Sequence, residues 1–122
     1  MKKHICLPLI LMITVFTTFD LQAQFIYKDQ FAHTFSIVAR DKETGEMAVG
    51  VQSHWFSVGS IVSWGRSGVG VVATQSFVNP AYGPDGLKLM EGGKNAEETL
   101  KTLLAQDDAR DVRQVAMLDA TG

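Results

Sequence analysis

The chain has 122 residues, 46% of them hydrophobic, with 11 basic and 13 acidic side chains, a net charge of −2 and one cysteine. A mildly acidic chain without a basic run offers no electrostatic footprint for nucleic acid. A lone cysteine gives neither a disulfide framework nor a thiolate metal site, and the length suits one small domain.

The first element is a leader. Lys2 and Lys3 precede an apolar stretch from Ile5 to Phe19, interrupted by Pro8, Thr14, Thr17 and Thr18; Asp20, Leu21, Gln22 and Ala23 follow. A charged head, an apolar middle and a small residue at the end form a cleavable secretory signal. The stretch is shorter than the roughly 20 residues of a membrane-spanning helix. Cys6 lies before the apolar core, out of place for lipidation. Residues 1–23 are therefore expected to be a signal peptide cut after Ala23, with Leu21 tolerated at the third position before the cut. Cleavage would remove Lys2, Lys3, Asp20 and Cys6, leaving 9 basic and 12 acidic residues and a net charge of −3. The exported chain, periplasmic or extracellular, would carry no thiol into an oxidising compartment and would keep no stable membrane anchor. Residues 24–32 read as a flexible polar-aromatic lead-in, and 33–122 as the domain.

Thr34 to Arg40 alternates as a strand does, with Phe35, Ile37 and Ala39 on one face and Ser36, Val38 and Arg40 on the other. Asp41 to Glu46 holds Gly45 and reads as the turn of a hairpin. Met47 to Gln52 is the returning strand, with Met47, Val49 and Val51 on one face. Its other face carries Ala48 and Gly50, small enough to admit a close neighbour. Ser60 to Trp64 is expected as a short strand and Val69 to Gln75 as a buried one. Ser76 to Pro84 is a loop. Pro84 suits the first turn of a helix, which Gly92-Gly93 stops. Asn95 and Glu98 form a capping box for Ala96 to Ala105, whose apolar stripe is Leu100, Leu103 and Leu104. Arg113 to Leu118 is a last strand, and Asp119 to Gly122 a turn. Hairpin strands plus clustered helices indicate an α+β fold with antiparallel sheets, not a βαβ alternation. No strand follows that turn, so the chain reads as a fragment incomplete at its C-terminus.

Several chemical signatures are absent. No G-x-S-x-G elbow occurs. Gly65 to Gly70, G-R-S-G-V-G, lacks the lysine and spacing of a phosphate loop and reads as a tight entry to the following strand. Beyond the leader only His33 and His54 remain as histidines, without zinc-binding spacing, so no metal and no cofactor are expected. Two polar-aromatic clusters stand out, Gln52-Ser53-His54-Trp55-Phe56 and Thr74 to Pro84, each at the end of an apolar strand. Convergent polar groups at strand ends line pockets, which makes Gln52, Ser53, Gln75, Ser76, Asn79 and Tyr82 candidate substrate-binding residues. The plainer reading is that they cap strands and satisfy loop backbone groups. His54 is the imidazole that lies within the first of these clusters.

H-T-F-S-I-V-A-R-D at His33 to Asp41, V-Q-S-H-W-F at Val51 to Phe56 and A-T-Q-S-F-V-N-P-A-Y-G-P at Ala73 to Pro84 resemble the domain of unknown function 1028 family, over essentially all of His33 to Gly122. The resemblance implies membership of the N-terminal-nucleophile hydrolase superfamily. The implied fold is a four-layer αββα sandwich, of which this chain would be a part. In that superfamily the first residue of the processed chain is the nucleophile and its own α-amine, titrating near about 8, is the base. The matching position is Thr34, with His54 as a substitute base, and the implied reaction is hydrolysis of an amide in a small molecule or peptide. The family has no assigned activity. Cleavage after Ala23 would leave Gln24 to His33 in front of Thr34, so a free Thr34 amine needs a second cut. The competing expectations are a non-catalytic cell-envelope module binding peptidoglycan or another glycan, and a fragment without function. The sequence leaves room for homo-oligomers.

Overall fold

A computed structural model describes residues 33–122; the signal peptide and lead-in expected over 1–32 lie outside the described residues. β1 (Phe35–Arg40) and β2 (Met47–Gln52) pair antiparallel, with Val38 opposite Val49. Their turn is built by Asp41, whose carboxylate accepts from the N–H groups of Glu43 (2.7 Å) and Thr44 (2.9 Å). The Thr44 and Glu43 amides hold that carboxyl below its ordinary range. Gly45, at φ +75°, takes the left-handed position and donates to the Asp41 carbonyl, a conformation a β-carbon resists.

The strand alternation is as expected, but the more polar face of β1 is the one turned inward. Ser36, Val38 and Arg40 are half-buried together with Met47, Val49 and Val51, while Phe35 and Ile37 stay more than 60% exposed. Ile37 rests across Gly50, where a β-carbon would lie 3.4 Å from its Cγ2.

The segment expected as one strand over Ser60–Trp64 divides. Gly59–Val62 is a single helical turn (α1), and β3 runs from Ser63 to Arg66. The local hydrogen bonds decide this. Ser60 donates its N–H and its hydroxyl to the Ser57 carbonyl, and the Thr74 hydroxyl donates to the Ile61 carbonyl at 2.7 Å. Serine and threonine offer the backbone these alternatives to a ladder. β4 (Gly70–Ser76) pairs antiparallel with β3 on one side and with β5 (Arg113–Asp119) on the other. It is the central strand, buried from Gly70 to Thr74, as a strand covered on both faces must be.

Helix α2 (Tyr82–Glu91) and helix α3 (Ala96–Leu104) follow. Pro84 falls in the first turn of α2, two residues after its start, where a missing N–H leaves no bond unmade. Gly83 and Gly86 let α2 approach the sheet: a β-carbon on Gly83 would lie 2.2 Å from the Trp64 indole, and one on Gly86 3.0 Å from Met117. Leu87 and Met90 then close on Val72, with Trp64, Val115 and Met117 around them. The capping box forms as the spacing predicts: Asn95 accepts from the Glu98 N–H at 2.8 Å, and Glu98 from the Asn95 N–H at 3.3 Å. The leucine stripe of α3 is only half-buried, and the fully buried residue of that helix is Thr99. Asp119, at the end of β5, accepts from the Ala96 N–H at 2.7 Å and so ties the start of α3 to the sheet.

The described residues form an α+β fold with antiparallel sheets. The two longer helices cover one face of the β3-β4-β5 sheet, and the β1-β2 ribbon lies against the other.

Candidate functional site

Thr34 stands at the entry to β1, Ser53 at the exit of β2, and Gln75 and Ser76 at the end of β4. Stacking the ribbon on the sheet brings these three strand ends together. The Thr34 and Ser53 hydroxyls are 2.7 Å apart, and the Trp55 N–H donates to the Ser53 hydroxyl at 3.1 Å. Ser53 is thereby fixed by the backbone that follows it and in turn orients Thr34.

Thr34 borders two cavities. One, of about 390 Å³, has an apolar wall of Trp55, Phe56, Val58, Ile61, Val62 and Val78 and a polar rim of Ser53, Gln75, Ser76 and Gln114. The other, of about 310 Å³, lies between ribbon and sheet and is bordered by Ser36, Gln75, Gln114, Ala73 and Ala116. Gln75 and Gln114 are opposite one another in the β4–β5 register, and the Gln75 amide donates to the Ser36 hydroxyl. Among the described residues no charged side chain borders either cavity. Trp55 and Phe56 remain largely exposed, Phe56 at 97%.

The backbone is strained here. Ser57 and Ser76 hold φ values of +55° and +66°, and they are the only non-glycine residues among those described with positive φ. Each costs of order 1–3 kcal/mol, and such strain gathers at functional sites. A larger cavity, about 790 Å³, opens at the other end of the stack between the Asp41–Glu46 and Arg66–Gly68 turns. There the positive-φ positions are the glycines Gly45 and Gly68, and Asp41 is engaged by its own turn.

Residues 34–122 match the model of a family described as "Family of unknown function (DUF1028)". The chain belongs to this family. The crystal structure of protein SPO2555 from Silicibacter pomeroyi, assigned to the same family, superposes with a TM-score of 0.69 at 31% identity, over 73% of this chain and 42% of that one. This chain thus spans less than half the length of that relative. No curated protein matches it at significance.

Of the residues singled out in this DUF1028 chain, Thr34, Ser53, Gln75 and Ser76 come together. Gln52 is exposed on the outer face of the ribbon, opposite Phe35. His54 is exposed, with its ring 5.6 Å from that of Trp55, and borders neither cavity. The Asn79 side chain accepts from the Ala81 N–H at 3.1 Å, at the start of α2. Tyr82 is buried and donates its hydroxyl to Asp107 at 3.1 Å. Burial first, then that bond to Asp107, pushes its phenol above the ordinary value. Asp107 also pairs with Arg113 at 2.8 Å, and Arg113 reaches the Phe77 carbonyl. This network anchors the loop that follows Ser76. Ser36 and Gln114 were not singled out. Strand alternation sets Gln114 and Ala116 on one face of β5, and the pairing with β4 sets Gln114 against Gln75.

Proposed function

We propose that this protein is an exported amidohydrolase of the N-terminal-nucleophile type, with Thr34 as its nucleophile. On this reading residues 1–23 are the export signal, and the helix–sheet–ribbon stack is part of a four-layer αββα sandwich. The observation that carries it is the position of Thr34. It is where the family match begins, it is paired with Ser53, and it borders both uncharged cavities.

The chemistry requires a cut between His33 and Thr34 to free the Thr34 α-amine. That amine, with a pKa near about 8, takes the hydroxyl proton as Oγ1 attacks the substrate carbonyl carbon. As the C–N bond breaks, the proton passes to the leaving nitrogen, and the amine product departs from an ester on Thr34. Water then attacks the ester carbonyl and gives a proton to the amine. The C–Oγ1 bond breaks, Oγ1 recovers that proton, and the acid is released. Uncharged walls suit this sequence, because an amine that must act as a base is kept neutral more easily away from carboxylates. Backbone N–H groups around the pocket would stabilise the oxyanion. His54, outside both cavities, is poorly placed to replace the amine.

The test is the mature N-terminus of the active exported protein, read by intact mass and Edman sequencing. Protein beginning at Thr34 is expected to be active, with Thr34→Ser retaining activity and Thr34→Ala losing at least about a thousandfold in kcat. Fully active protein beginning at Gln24 would overturn the mechanism. The exposed aromatics Trp55 and Phe56 favour one second reading, a non-catalytic module that stacks glycans of the cell envelope. That reading requires retention on peptidoglycan or another polysaccharide that Trp55→Ala abolishes.

A further inference from the structure

Thr34 borders two cavities that differ in polarity and share Gln75 and Gln114 on their common rim. Trp55, Phe56, Val58, Ile61, Val62 and Val78 make one an apolar chamber of about 390 Å³. The other is a smaller mixed slot, in which Ser36, Gln75 and Gln114 supply the polar groups and Phe35, Ala73, Val115 and Ala116 the rest of the lining. An apolar cavity of about 150 Å³ accepts a benzene ring, so the chamber has room for an aryl group or a medium acyl chain with its linker. In the slot, the two carboxamides supply both donors and acceptors, which matches a neutral amide or hydroxyl group. Among the described residues no lysine, arginine or histidine borders either cavity, so there a substrate carboxylate would lose water and gain no counter-charge.

We infer that the substrate is a neutral, unequal-armed amide: its apolar substituent sits in the Trp55–Phe56 chamber, and its small uncharged hydrogen-bonding substituent sits between Gln75 and Gln114. This rests on the reading above, which places the scissile bond at Thr34. The chamber supplies affinity through buried apolar area. The slot supplies selectivity, since Gln114 and the bonding positions of Gln75 not taken by Ser36 reward a substituent that can hydrogen-bond them.

The probes are ketone analogues in which a methylene replaces the scissile N–H, so binding is read apart from cleavage. Titration calorimetry on the mature protein compares the analogue of phenylacetylglycinamide with those of acetylglycinamide and of phenylacetylglycine. The phenylacetyl amide analogue is expected to bind about tenfold or more tighter than either of the others. Trp55→Ala should abolish the preference for phenyl over methyl, and Gln114→Leu the preference for amide over carboxylate. Absence of binding, equal binding of all three, or tighter binding of the carboxylate would overturn the inference. The expected order without hydrolysis of phenylacetylglycinamide itself would leave the substrate class standing and remove the Thr34 chemistry. Hydrolysis of that amide without the expected order would do the reverse.

Discussion

The two faces of the three-stranded sheet are built to different standards. On the helix side Val72 is fully buried against Leu87 and Met90, and glycines bring α2 within contact of Trp64 and Met117. On the ribbon side the same central strand turns Gln75 toward Ser36, and the two cavities that meet at Thr34 open there. A single strand therefore carries both tasks: Val72 packs against the helices, Ala73 and Gln75 border the cavity under the ribbon, and the left-handed turn at Ser76 brings the strand's end into the site. The contrast separates stability from chemistry, so substitutions on the two faces should give opposite signatures.

The largest effect is expected on the helix side. A β-carbon at Gly83 would lie 2.2 Å from the Trp64 ring system, and a flat indole in a packed layer has little room to yield. Gly83→Ala should destabilise by about 3 kcal/mol, at the upper end for an overpacked core. Chemical denaturation measures it. A change under about 0.5 kcal/mol would mean that the helix layer is looser than its contacts indicate.

On the ribbon side, Ser76 should respond in the other direction. Its left-handed backbone costs roughly 1–3 kcal/mol, while glycine gives back part of the relief as unfolded-state entropy. Ser76→Gly is therefore expected to stabilise by about 0.5–1 kcal/mol. Gly45→Ala, where glycine already holds the left-handed position in a turn, should destabilise by about 1 kcal/mol. Equal signs for the pair would remove the distinction between strain kept at the site and strain avoided at the turn.

The legibility of the sequence follows the same division. Features set by neighbours in the chain could be read directly: the β1–β2 hairpin from alternation around Gly45, the capping box of α3, the buried character of β4. Features set by partners far along the chain could not. The inward face of β1 is the one with serine and arginine, because the ribbon's inner side meets Gln75 and the cavity rather than a dry core. Thr99 rather than the leucines is the buried residue of α3, because Asp119 fixes where that helix starts against the sheet. Within the site, Ser53, Gln75 and Ser76 were marked by their place at strand ends. Gln114 needed the register across β4–β5, and the commitment of Tyr82 to Asp107 needed a contact 25 residues away.

That commitment sets the last expectation, a pH dependence on the helix side. The Arg113 guanidinium, then the Ala109 N–H and the Tyr82 hydroxyl, hold the Asp107 carboxyl well below the usual carboxylate range, against burial that pushes it up. A carboxyl whose folded value is depressed binds its proton first in the unfolded chain. Its contribution is therefore fully present above the ordinary value near about 4 and is lost as pH falls toward the depressed one. Asp107→Asn removes the titration but leaves an acceptor for Arg113 and Ala109. Denaturation midpoints of the two proteins should differ at pH 7 and converge in acid, with the wild type showing the steeper fall below about pH 4. Parallel curves down to pH 2 would show that this carboxylate is not a source of acid sensitivity. The Arg113 bond to the Phe77 carbonyl would then not depend on the charge of Asp107, and the loop beside the site would keep its shape without it.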